Sequence, residues 1–193
     1  EGKLEVTDRK TKYAIEVVAK SYSNTYDGSA HTAQSFETLD FTVNGQSYKV
    51  SGITSSATGK NVTDSVASIP VIGTPVVKDK GNNDVTDQFE VTVKPGHLTI
   101  SKASVVLVSE NLSKEYDGTA LINDKTPLKT ESGWIGNEGA TYEFTGSQTI
   151  VGESPNAFGY TLKEGTLADN YDISKTEGKL EVTDRKTKYA IEV

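Results

Sequence analysis

Cysteine and methionine are both missing from this 193-residue sequence. Without cysteine there is neither a disulfide nor a thiolate metal site, so any fold must stand on burial and hydrogen bonding alone. The lack of cysteine does not by itself fix a compartment, because chains from reducing compartments also go without disulfides. Methionine is absent even at position 1, which leads us to expect an internal stretch of a longer chain. Basic residues are in deficit: 20 Lys and Arg stand against 27 Asp and Glu, for a net charge of −7. A nucleic-acid binder needs a basic footprint. The densest basic run here, Arg9-Lys10-Thr11-Lys12, sits among acids and recurs at 185–188. No nucleic-acid partner is expected, and the acidic balance suits a soluble extracellular array. No run approaches the ~20 apolar residues of a membrane helix, so this stretch is not expected to insert into a membrane.

What is present favours strands. The chain has 9 Tyr and 5 Phe, with frequent Val, Ile and Thr, against 24% charged residues. Disordered chains are poor in such residues, whereas β-branched and aromatic side chains suit a pleated, half-buried surface.

Repetition organises the sequence. Residues 1–17 and 177–193 are identical, so the chain is one 176-residue period plus its overlap. We read this as part of an array of near-identical repeats; the bland alternative is an artificial duplication of one end. A weaker repeat lies inside the period. Tyr26-Asp27-Gly28-Ser29-Ala30 returns 90 positions later as Tyr116-Asp117-Gly118-Thr119-Ala120, and Lys12 returns as Lys102. Towards the ends the spacing is 82: Asp87-Gln88-Phe89 returns as Asp169-Asn170-Tyr171, and Gly96 and Leu98 as Gly178 and Leu180. The first copy therefore carries about one extra loop or hairpin. The predicted organisation is a last strand and linker of a preceding repeat over 1–11, repeat domains over 12–101 and 102–184, and the start of the next repeat over 185–193.

Strand signals are dense. Leu39–Val43 and Gln46–Val50 flank Asn44-Gly45, the pair that supplies the positive φ angles of a type I′ hairpin. Phe89–Val93 alternates with period two, and Pro95-Gly96 predicts a turn returning into His97–Ile100. The second copy repeats this around Tyr171–Ser174 and Lys179–Val182. Further strands are expected at 13–19, 71–77, 104–108, 141–145 and 157–162, and no long window has a helical period. The fold class expected is all-β, two tandem small β-sandwich-like domains in an elongated array. A β-grasp-like α+β unit is the alternative.

Candidate sites are few. Asp79, Asn82, Asp84 and Asp87 form the best metal candidate, since calcium takes carboxylate and amide oxygens. Their spacing is not that of an EF-hand, and a plain polar turn is the competing reading. No cofactor is expected. Trp134, the single tryptophan, is the candidate ligand platform, with Tyr142 and Phe144 sharing a strand face beside it; packing is the competing reading. Gly133–Gly139 leads into a strand pattern, not the helix a phosphate loop requires. His31 and His97 lack the partners of a zinc site and are expected on sheet surfaces. The Tyr-Asp-Gly motifs read as strand-ending turns, with Asp bonding local backbone, Gly at positive φ and Tyr on the sheet. No G-x-S-x-G elbow or carboxylate pairing signals catalysis, and no enzyme activity is expected.

With these motifs in view, the chain resembles the Tyr-Asp-Gly type (MBG-like, bacterial Ig-like) tandem repeats of Gram-positive cell-surface adhesins. The resemblance rests on Lys114–Ala120, Gly159–Leu162, Asp169–Ile173 and Glu177–Thr183, and more loosely on Tyr26–Gly28, Asp84–Asp87 and Gly96–Ile100. It implies an extracellular, cell-wall-anchored, monomeric spacer that projects a distal binding domain, with neighbouring repeats of the same chain as its partners. A repeated low-affinity module for host glycan or protein is the alternative. The resemblance also raises a Lys–Asn isopeptide crosslink, for which Lys102 and Asn170 are the candidates.

Overall fold

A computed structural model describes residues 2, 3, 5, 10–124 and 127–186. The chain divides into two compact units, one of residues 1–25 and 29–101, the other of 26–28 and 102–193. Among the described residues the only helical elements are three-residue 3-10 turns. The architecture is all-β, and the β-grasp-like alternative falls because no α-helix occurs among the described residues.

The first unit contains β1 (Tyr13–Val18), β2 (Tyr22–Thr25), β3 (His31–Gln34), β4 (Asp40–Val43), β5 (Gln46–Gly59), β6 (Val71–Asp79), β7 (Phe89–Lys94) and β8 (Leu98–Ser101). The second contains β9 (Ala103–Val108), β10 (Leu112–Glu115), β11 (Leu121–Ile122), β12 (Thr130–Ser132), β13 (Ala140–Phe144), β14 (Ser147–Gln148), β15 (Gly152–Asn156), β16 (Phe158–Leu162), β17 (Tyr171–Thr176) and β18 (Gly178–Thr183).

Both units close on the same pair of parallel ladders. In the first, β1 runs parallel to β7 with Tyr13 opposite Phe89, and β2 runs parallel to β8 with Tyr22 opposite Leu98. In the second, β9 runs parallel to β17 with Ala103 opposite Tyr171, and β10 runs parallel to β18 with Leu112 opposite Leu180. Moving the early strands by 90 positions and the late ones by 82 turns one set of registers into the other. The internal repeat of the sequence is therefore also a repeat of strand pairing.

Alternation decides what is buried. On β1 the inward positions are Ile15 and Val17, and on β9 they are Ala103, Val105 and Leu107. The first core joins Ile15, Val17 and Ala19 to Phe36, Val50, Ile53, Val77 and Phe89. In the second unit Val105, Leu107 and Leu180 have no exposed surface, and Val182 and Phe158 almost none. Each fully buried side chain of this kind contributes about 1.5–3 kcal/mol.

Two turns show how local chemistry and tertiary contact divide the work. Asn44 and Gly45 take φ of 50° and 75°, and Val43 faces Gln46, giving the expected hairpin between β4 and β5. Pro95-Gly96 corrects the reading. β7 and β8 are not a hairpin; each pairs with a different partner, so the segment carries the chain from one ladder to the other. A Cβ on Gly96 would lie 2.2 Å from the Lys20 carbonyl oxygen, and one on Gly178 would lie 2.4 Å from that of Glu110. Glycine is required at both places because backbone passes against backbone, not because of a turn angle.

Candidate functional site

The aromatic residues of the second unit collect around β17. Tyr171 opens that strand and is 2% exposed. Its ring meets Trp134 edge-on at 4.9 Å between centroids. Its hydroxyl donates to Glu138 at 2.9 Å and accepts from the Ile135 backbone N–H at 3.2 Å. Trp134 is half-buried, and its indole N–H donates to the Tyr142 hydroxyl at 3.3 Å. That hydroxyl in turn donates to Glu131 at 2.7 Å. Tyr26, which belongs to this compact unit, is buried; it donates to Glu138 and sets its ring edge-on to Tyr171. Burial, reinforced by Glu131, pushes the Tyr142 phenol up to about 12. Burial pushes Tyr171 up to about 12 as well, with Glu138 adding to it. These phenols are neutral hydrogen-bond donors at physiological pH, which suits them to fixing structure.

Tyr142 and Phe144 do share a face of β13, and both pack on buried Phe158, at 6.3 and 5.8 Å between centroids. Trp134, Tyr142 and Phe144 are each half-buried and pack on rings of the same unit. Gly133–Gly139 leads into β13, a strand.

The acidic turn is bound up with itself. The Asp79 carboxylate accepts from the Asn83 backbone at 2.8 Å and from the Asn83 amide at 3.0 Å. Asn82 takes a positive φ of 64° and bonds back to the Asp79 carbonyl. Asp84 accepts from the Thr86 N–H at 3.0 Å and the Thr86 hydroxyl at 2.6 Å. These bonds hold both carboxyls below their ordinary range. Asp87 sits in the 3-10 turn before β7. Among the described residues no group of three or more His, Asp or Glu could hold a metal ion.

Lys102 and Asn170 stand immediately before the first pair of the β9–β17 ladder. Lys102 is exposed, however, whereas Asn170 is fully buried and its amide bonds the Tyr26 hydroxyl. His31 lies on β3, stacked on Tyr22, with Nδ1 2.9 Å from the Tyr22 hydroxyl and Nε2 3.0 Å from the Asn24 amide nitrogen. His97 is exposed, and its backbone N–H donates to Ser21.

The chain matches no family model, no curated protein and no solved structure.

The Tyr116-Asp117-Gly118 turn has the chemistry expected of it. Asp117 accepts from the Thr119 N–H at 2.9 Å and from Lys114 at 2.8 Å, which holds its carboxyl far below the usual range. Gly118 takes φ of 84°. The tyrosines of the two motifs differ: Tyr26 is 4% exposed and Tyr116 is 37% exposed.

Sequence reasoning missed one buried polar cluster. Ser109 donates to the Asn156 carbonyl at 2.7 Å and accepts from the Gly178 N–H at 2.8 Å, while the Asn156 amide donates to the Glu110 carbonyl at 2.8 Å. These bonds tie the β9–β10 and β17–β18 connections to β15. No local signal could have revealed them, because the partners stand 46 to 69 positions apart.

Proposed function

We propose that this chain is a structural spacer from a bacterial cell-surface adhesin, extracellular and anchored to the cell wall beyond this stretch, which projects a distal binding domain. The observation that carries the reading is the repetition itself. The same closing ladders recur in the same register in both units, and the sequence begins the cycle again after 176 residues. Such arrays set reach by copy number, with stability built from each unit and its neighbours. The polar groups most able to serve a ligand already have partners within the chain: Trp134, Tyr142 and Tyr171 bond one another or nearby carboxylates, and the acidic turn bonds itself. No catalytic role is assigned to any residue.

The test is direct binding of the folded chain to immobilised mucins, matrix proteins and a glycan array, with Trp134→Ala alongside. No saturable binding at high concentration is expected. Saturable binding that disappears in the variant would replace the spacer with an adhesive repeat acting through avidity.

A further inference from the structure

The tip of the β4–β5 hairpin carries the only Asn-Gly step in the sequence, Asn44-Gly45. Both residues are exposed. Val43 and Gln46 close the ladder, so the Gly45 N–H lies outside it. A Cβ built on Gly45 would meet nothing within 4 Å, which leaves that backbone nitrogen unshielded. A backbone amide nitrogen and a side-chain amide carbon are therefore neighbours in open space. The Asn44 amide is anchored at one point, by the bond it donates to the Tyr13 hydroxyl at 2.8 Å. Tyr13 opens β1 and packs its ring against Phe89 at 5.7 Å between centroids, so the anchor is itself fixed to the core. Joining the two amides requires the tip to leave its turn conformation. Loop tips open locally at little free-energy cost while the rest of a domain stays folded.

Two other places have half of this chemistry. Asn82 is exposed and takes a positive φ of 64°, as Asn44 does with 50°. It is followed by Asn83, whose side chain crowds the nitrogen that would attack, where Gly45 has none. Asp117 is followed by glycine, but its carboxylate accepts from Lys114, from the Thr119 N–H and from the Thr119 hydroxyl. A carboxylate so held stays charged, and it must be protonated before it can lose water to an attacking nitrogen. Asn44 alone joins a neutral amide to a following glycine.

We propose that Asn44 is a self-modification site, where the folded chain converts asparagine to aspartate and isoaspartate, and that the Tyr13 hydroxyl restrains the conversion. The Gly45 nitrogen bonds to Asn44 Cγ. The Cγ–Nδ2 bond breaks, and the side-chain nitrogen leaves as ammonia with the proton from the Gly45 N–H. Water then opens the five-membered ring. Attack at Cγ breaks the new bond and leaves aspartate; attack at the backbone carbonyl breaks the original peptide bond and leaves isoaspartate. The isoaspartate chain is one methylene longer between Val43 and Gln46, which pair directly in the intact hairpin. Phe41 and Val43, packed against the first core, hang from the strand this loosens. The test incubates the 193-residue chain in mildly alkaline buffer, with and without urea, beside Tyr13→Phe. Peptide mass locates each amide-to-acid exchange, and chromatography separates the two acids. In the folded chain Asn44 should convert at least ~10-fold faster than Asn82, the internal standard. Tyr13→Phe keeps the ring and removes the anchor, so Asn44 should speed up by ~2–10-fold, the worth of one hydrogen bond, while Asn82 keeps its rate. Conversion of Asn44 confined to the urea-treated chain, or no faster than Asn82, would overturn the site. An unchanged Asn44 rate in Tyr13→Phe, or a rise shared equally by Asn82, would overturn the restraint by Tyr13.

Discussion

Leu180→Ala is the substitution that most directly tests how the second unit is held together. Leu180 lies on β18, the central strand of its sheet, opposite Leu112 of β10 on one side and Ser154 of β15 on the other. It has no exposed surface. Truncating a fully buried leucine removes transfer free energy and leaves a cavity, a combined loss of about 2–5 kcal/mol. A unit of this size has ~4–12 kcal/mol to lose, at roughly 0.05–0.15 kcal/mol per residue. The variant should thus surrender a large part of its stability while remaining folded in water. Urea denaturation followed by fluorescence gives a clean signal, because Trp134 is the only tryptophan and lies in this unit. With a loss of about 2–5 kcal/mol and a urea slope of about 1–2 kcal/mol per molar, the midpoint should fall by roughly 1–5 M. Val106→Ala on β9 of the same unit, where the residue is 37% exposed, should stay within about 0.5 kcal/mol of the parent. A Leu180→Ala loss below about 1 kcal/mol, or one equalled by Val106→Ala, would refute the assignment of Leu180 to the core.

Two further outcomes follow from the geometry. Gly178→Ala should destabilise by more than about 2 kcal/mol, because the new Cβ would meet the Glu110 carbonyl oxygen at 2.4 Å. Gly159→Ala, with nothing within 4 Å, should be nearly neutral in the same melt. In a spectrophotometric titration Tyr142 and Tyr171 should ionise near pH 12, about two units above the ordinary phenol. Their folded values are raised, so the folded state binds more protons than the unfolded one between about pH 10 and 12. Their stabilising contribution should be complete below pH 10 and lost as the pH climbs through 12; a melting temperature flat over that interval would count against the burial of these hydroxyls.

Local chemistry carried much of the fold into the sequence. Asn44-Gly45 announced its hairpin because the turn needs only the φ angles those two residues supply. The apolar alternation of Tyr13–Val18 and Ala103–Val108 marked strands because each has one buried face. Short polar strands escaped notice. Tyr22-Ser23-Asn24-Thr25 and Gly152-Glu153-Ser154-Pro155-Asn156 have little apolar periodicity, and β15 tolerates Pro155 only because it is an edge strand. Pairing partners were hidden too. Pro95-Gly96 looked like a turn, yet what fixes Gly96 is the passage of Lys20, 76 positions away in sequence. At the candidate site, residue types were legible but their occupants were not. Nothing near Trp134 in the sequence indicated that Tyr171 would pack edge-on with it, and nothing near Asp79 showed that its oxygens would be spent on Asn83.

The parallel closing ladders have a mechanical consequence. In each unit an early strand lies beside a late one and runs the same way, as β2 does beside β8 and β10 beside β18. Tension along the chain draws the beginning of the early strand and the end of the late strand in opposite directions. The two then slide lengthwise, and every rung resists at once; an antiparallel pair held at the same points would be peeled rung by rung. How long such a unit survives a pull is governed by its unfolding rate, and a shear-loaded ladder sets that rate by the simultaneous loss of its hydrogen bonds. The register that repeats through this sequence would make each copy a strong link under a steady drag.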